Sequence, residues 1–119
     1  MQRDDAETFV YRLASAAEWT ATQETGVAPT REIDKRDGYI HLSTRAQVLA
    51  TANLHFAGAR DLFALEIPLA PIADQVKFEL APKRGETFPH LYGALRARHV
   101  ARAIPLIEGE TGFAFGEPA

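Results

Sequence analysis

The sequence predicts an α+β domain built mainly from antiparallel strands, on three observations. Apolar residues alternate with period two in short stretches, at 9–13, 39–42 and 76–80, the spacing of strands with one face buried. Helical spacing with capping residues is confined to two stretches, 15–26 and 44–56. Glycine and proline punctuate the connections, and no repeat, linker or low-complexity run divides the 119 residues. One domain over 1–119 is expected, with its core at about 9–106 and a tail at 108–119.

Phe9 to Leu13 reads as the first strand, with Phe9, Tyr11 and Leu13 on one face and Val10 with Arg12 on the other. Ser15 is a fitting N-cap with Glu18 three residues on, and the short helix should end at Gly26. Pro29 to Lys35 reads as a polar, irregular and mobile connector. Asp37-Gly38 is a turn signal ahead of a strand, Tyr39 to Leu42, that sets Tyr39 and His41 on one face and Ile40 and Leu42 on the other. Ser43 or Thr44 then caps a helix in which Val48, Leu49, Ala52 and Phe56 share a side, with a break at Gly58. Asp61 to Ile67 reads as a largely buried strand closed by Pro68, and Pro71 to Asp74 as one helical turn. Val76, Phe78 and Leu80 point inward from a strand whose other face carries Lys77 and Glu79. Lys83 to Thr87 is a polar loop, and Phe88 to Gly93 an aromatic segment without clear periodicity. A helical turn within 94–100 and a last strand over 100–107 follow. Phe113 and Phe115 share a face of a tail that packs back on the domain.

A net charge of −3 argues against nucleic acid or an anionic membrane surface as the main partner. The lack of cysteine removes disulfides, thiolate catalysis and thiolate metal sites, and fits a reducing compartment. The first residues show no signal-peptide run, and no apolar stretch approaches membrane-spanning length. The expectation is a cytoplasmic protein with no membrane partner; oligomeric state is not legible.

Chemistry centres on histidine and one carboxylate. His41 ends a strand beside two hydroxyls, and His90 lies among Pro89, Leu91 and Tyr92. Either could act as base, donor or ligand near neutral pH. For these two a functional role outweighs plain hydrogen bonding, whereas His55 and His99 read as structural. Glu79 could orient a hydroxyl or stabilise developing positive charge, although the exposed face of a half-buried strand explains it as simply. Arg12, Ser43 and Thr44 suit a phosphate or carboxylate, against the plainer readings of a surface strand residue and helix caps. Trp19, Tyr39, Phe88 and Tyr92 could line a pocket for a flat ligand, though aromatics more often fill cores. No paired-histidine spacing, phosphate loop or nucleophile elbow is present, and no metal is expected.

The set Val10-Tyr11-Arg12-Leu13, Trp19, Gly38 to Thr44, Val76 to Glu79 and Phe88 to Gly93 resembles a small bacterial and plant family, labelled domain of unknown function nine hundred fifty-two. The resemblance runs from about Phe9 to Leu106, with Phe78 where the family usually has tryptophan. That family's fold is similar to the ADP-ribosyltransferase superfamily, a split pair of mainly antiparallel sheets around a nicotinamide-dinucleotide cleft. The resemblance implies Tyr11 or Arg12 as the first-strand residue, Ser43 and Thr44 with His41 as the second element, and Glu79 as the carboxylate.

Three readings follow. The first is a cleft for NAD or a related nucleotide lined by Tyr11, Arg12, His41, Ser43, Thr44, Glu79, His90 and Tyr92, with His41, Glu79 and His90 as the catalytic candidates of a transferase. The second is a non-catalytic module for a small anionic metabolite. The third is a structural or interaction domain whose histidines only satisfy buried backbone groups. Whether Glu79 shares a cleft with His41 separates the first two.

Overall fold

Strand β1 (Phe9–Ser15) is where two sheets meet. It pairs along its length with β3 (Leu62–Pro68), and on its other edge Tyr11 and Ser43 exchange both backbone hydrogen bonds at 2.8 Å. The computed structural model describes residues 8–116. The larger sheet continues from β3 to β6 (Arg102–Gly109) and β7 (Gly112–Phe115), giving the order β1-β3-β6-β7. The smaller sheet has the order β2-β5-β4, from Ile40–His41, Glu86–Leu91 and Val76–Ala81. Every pairing is antiparallel, as expected.

The two faces of β1 seed two apolar clusters. Tyr11 and Leu13 pack with Val48 and Ala52 of helix α3 (Arg45–His55) and with Leu62, Ile104 and Phe113. Val10 packs with Ile40, Leu42, Ile67 and Leu91 between the sheets. Removing a Val, Leu or Ile side chain of this kind from water contributes about 1.5–3 kcal/mol. The Ser15–Glu18 capping box starts helix α1 (Ala16–Thr25), and Gly26 ends it at φ 86°, a conformation glycine adopts without steric cost. Gln47 Oε1 accepts the Thr44 N–H at 3.0 Å and so fixes the start of α3.

Four expectations need correction. The connector at 29–35 is not irregular: Glu32–Asp37 forms a helix, α2, with Asp34 buried. Six residues are too few for an independently stable helix. This one is fixed because the Asp34 carboxylate accepts the Arg31 N–H at 2.7 Å and then pairs with Arg12 across the core. Gly38 takes the positive φ of 82° that the turn signal implies, here as the C-cap of that helix. Phe88 to Leu91 is the middle strand of the smaller sheet rather than an aperiodic segment. Pro89 is tolerated there because the β2 ladder closes at His41↔His90, and the next contact uses only the Pro89 carbonyl, which accepts the Leu42 N–H at 3.1 Å. Leu80 does not face inward but stands exposed at the far end of β4. The strand begun near residue 100 is not the last, since β7 carries Phe113 back onto the α3 cluster.

Candidate functional site

The antiparallel register of the smaller sheet decides which side chains meet. His41 lies opposite His90, Lys77 opposite His90 on the other side, and Glu79 opposite Phe88. With period-two alternation, Tyr39, His41, Lys77, Glu79, Phe88, His90 and Tyr92 all project from one face. The opposite face, with Ile40, Phe78 and Leu91, belongs to the core.

On that face the Tyr39 ring stacks on His90, with centroids 3.9 Å apart and planes 16° from parallel. It also touches His41 at 4.6 Å and Tyr92 at 5.3 Å, while His41 and His90 meet edge-on at 5.9 Å. Lys77 Nζ lies 5.1 Å from the Tyr92 centroid. Aromatic rings at these separations attract beyond their buried area by about 0.5–1.5 kcal/mol per pair.

Glu79 is tied to this group through one oxygen. Its Oε1 lies 2.7 Å from His90 Nδ1 and accepts the Tyr92 hydroxyl at 2.6 Å. An ionised carboxylate only accepts, so Nδ1 carries the proton, and a neutral His90 ring presents a lone pair at Nε2. Among the described residues no partner reaches Glu79 Oε2 or His90 Nε2, although the His90 side chain is 7% and the Glu79 side chain 39% exposed. The hydrogen bond from Tyr92, then that from His90, holds the Glu79 carboxyl below its ordinary value. The same bond pushes the Tyr92 phenol up to about 12.

His41 is held differently. Its Nδ1 lies 2.8 Å from Asp34 Oδ1 and its Nε2 2.9 Å from Asp37 Oδ2. With both carboxylates ionised, both bonds form only when each ring nitrogen carries a proton. Behind it Arg12 grips Asp34 through two bonds, of 3.2 and 2.7 Å, and donates to the His41 carbonyl at 3.1 Å. Burial pushes the Asp34 carboxyl up, but Arg12, the Arg31 N–H and His41 outweigh it, leaving Asp34 well below the usual carboxylate range. Asp37 is lowered to about 2, first by Arg36 and then by His41.

The structure brings His41, Glu79, His90 and Tyr92 onto one face and leaves the other candidates off it. Arg12 is buried and engaged by Asp34. Tyr11 points to the opposite side of β1, where its hydroxyl donates to Glu66 at 2.8 Å and accepts from Arg45. Ser43 and Thr44 are buried at the junction into α3. His55 ends α3, and His99 Nδ1 accepts the Arg96 N–H at 3.0 Å. Asp34 was missed by the sequence reading. The available signals were the Arg31-to-Asp34 cap spacing and Asp37 four residues before His41. Among the described residues no group of three His, Asp or Glu is arranged to hold a metal, and no helix is long and apolar enough to cross a membrane. A cavity of about 290 Å³ opens not over Glu79 but beyond Tyr39, between Val27, Ala28, Lys35 and Gly93. Tyr39 is thus a wall shared by the cavity and the histidine face.

Comparison with known proteins agrees with the motifs. The family model described as protein of unknown function (DUF952) matches residues 13–103. The X-ray structure of protein CC0527 from Caulobacter crescentus is 34% identical, with 89% of this chain and 92% of that one covered at a TM-score of 0.81. The solution NMR structure of the same protein, also 34% identical, covers 89% and 90% at a TM-score of 0.78. No curated protein matches the chain. The chain belongs to the DUF952 family.

Proposed function

We propose that this member of the family binds NAD or a related nucleotide on the face formed by Tyr39, His41, Glu79, His90 and Tyr92, in an ADP-ribosyltransferase-like cleft. The observation that carries the reading is Glu79: it shares the face with both histidines, and among the described residues no partner reaches its Oε2 or His90 Nε2. A flat ring stacks against the exposed parts of Tyr39 and Tyr92. Glu79 Oε2 accepts a ribose hydroxyl, and its negative charge stabilises the oxocarbenium-like state that develops as the glycosidic bond breaks. Tyr92 and His90 position the carboxylate through Oε1. His41, clamped between two acids, sets the place of Tyr39 and orients the dinucleotide. Arg12 acts from behind the face, holding Asp34 and the β2 backbone.

One observation favours the second reading, a non-catalytic module for a small anionic metabolite. Two hydrogen bonds to Glu79 Oε1 disperse the charge that transfer chemistry needs. Calorimetry against NAD, ADP-ribose and nicotinamide, with Glu79→Gln and His41→Ala alongside, tests both. Saturable NAD binding weakened by Glu79→Gln, together with release of nicotinamide over time, supports the transferase. Binding without release supports the module. No heat with any of the three sinks the nucleotide reading.

A further inference from the structure

The turn between β4 and β5 delivers an arginine to the edge of the histidine face. Both Arg84 and Gly85 donate their backbone N–H to the Ala81 carbonyl, at 3.0 and 2.9 Å, and Gly85 takes φ 70° to close the turn. That fixes the Arg84 guanidinium over the buried Phe88 ring, with Cζ 4.7 Å from its centroid. Both terminal nitrogens lie 3.4 Å from Thr51 Oγ1, and Thr51 Oγ1 lies 3.5 Å from the buried Ser43 Oγ.

These contacts leave Arg84 poorly satisfied. A guanidinium has five donors and no acceptor, and 3.4 Å is long for an N–H···O bond. Among the described residues three arginines are not exposed: Arg12, Arg31 and Arg84. Arg12 is paired with Asp34 and Arg31 with Glu18, each at 2.7 Å, whereas among the described residues Arg84 has no carboxylate partner and hydrogen-bonds only the neutral Thr51 hydroxyl. A half-buried cation without a counter-ion is costly to hold, and the flat, forked guanidinium matches a phosphoryl group bidentately.

We propose that Arg84, Thr51 and Ser43 form an anion subsite that takes a phosphoryl group of the bound ligand. Phe88, beneath Arg84, is the register partner of Glu79 and lies two residues before His90 on the same face of β5. Side chains directly opposite on neighbouring strands start about 5 Å apart, which sets a ribose at Glu79 next to a 5′-phosphate at Arg84. The inference rests on the nucleotide reading for what lies over Glu79, but the anion subsite is testable without it.

The test is calorimetry of the full chain against inorganic pyrophosphate at low salt, then against ADP-ribose. Wild type should bind pyrophosphate saturably. Arg84→Ala should weaken it about tenfold or more. Arg84→Lys, which keeps charge and loses the fork, and Thr51→Val should each cost several-fold. Lys83→Ala, which removes a neighbouring exposed charge, should change it less than about twofold. Thermal melts identify any variant that fails to fold, and Arg84→Lys is the one to rely on if Arg84→Ala does. Pyrophosphate that does not bind wild type, or binds Arg84→Ala and Arg84→Lys as tightly, overturns the proposal. Arg84-dependent pyrophosphate binding with no binding of ADP-ribose or NAD keeps the subsite and removes the nucleotide reading. ADP-ribose binding that Glu79→Gln weakens and both Arg84 variants leave intact does the reverse.

Discussion

His41 and His90 face each other across the β2–β5 ladder, and each is bonded to carboxylate, yet their surroundings are opposite. Around His41 both ring nitrogens are engaged, Asp34 is sealed by Arg12 and the Arg31 N–H, and Arg12 also holds the His41 carbonyl. Around His90 one nitrogen and one oxygen of its Glu79 partner are left without a partner among the described residues. A network that saturates its own donors and acceptors holds the fold, because disturbing any member leaves a buried charge unpaired. A network with free acceptors beside aromatic faces can take a ligand without giving up an internal bond.

The sharpest way to break this contrast is at Asp34. Asp34→Ala leaves Arg12 buried and unpaired, and should destabilise the protein by about 3–5 kcal/mol in urea denaturation. Replacing both partners, as in Arg12→Met with Asp34→Leu, should cost less than Asp34→Ala alone, since no charge is then stranded. A double mutant no more stable than the single would mean that the pair is not the organising contact of α2 and β2.

How far this was readable in the sequence follows the same division. The Ser15–Glu18 box, Gly26 as helix end, the two faces of β1 and the shared side of Tyr39 and His41 are local signals, set by spacings of two to four residues, and the structure bears them out. Asp34 was not legible because α2 has no apolar stripe, its Ile33 being exposed, and what orders it is an ion pair to a residue 22 positions away. β5 was hidden by Pro89, which normally argues against a middle strand and survives here because β2 is only two residues long. The meeting of Glu79 with His90 depends on the β4–β5 register, fixed by a turn at Gly85 whose length the sequence suggests but whose pairing it does not state.

Acid should weaken the His41 side through its two carboxylates. Asp34 and Asp37 titrate lower in the folded chain than the ordinary value of 3.8, Asp37 at about 2. A depressed folded-state value means that the stabilisation is complete above about 3.8 and is lost as pH falls through the folded value. Melting temperature should therefore drop progressively between about pH 4 and 2. Asp37→Asn should flatten part of that fall, and an unchanged profile in Asp37→Asn would detach Asp37 from His41.

The smallest structural effect should come from the open side. Glu79→Gln should leave the melting temperature nearly unchanged, since the side chain is partly exposed and no buried charge is stranded. It should also bring the Tyr92 phenol from about 12 back toward the ordinary 10.0, because a neutral amide no longer penalises the phenolate. Spectrophotometric titration of the three tyrosines reads this directly, and a Tyr92 titration that stays put would mean that Glu79 is not its partner in solution.

The most direct measurement is one calorimetric titration with NAD, run on wild type and on Glu79→Gln with melting temperatures recorded in parallel. If the Glu79–His90 face is the binding face, wild type gives a saturable isotherm, Glu79→Gln loses at least tenfold in affinity, and the two proteins melt together. Equal affinity in both, or no binding to a folded wild type, would contradict the assignment of function to that face.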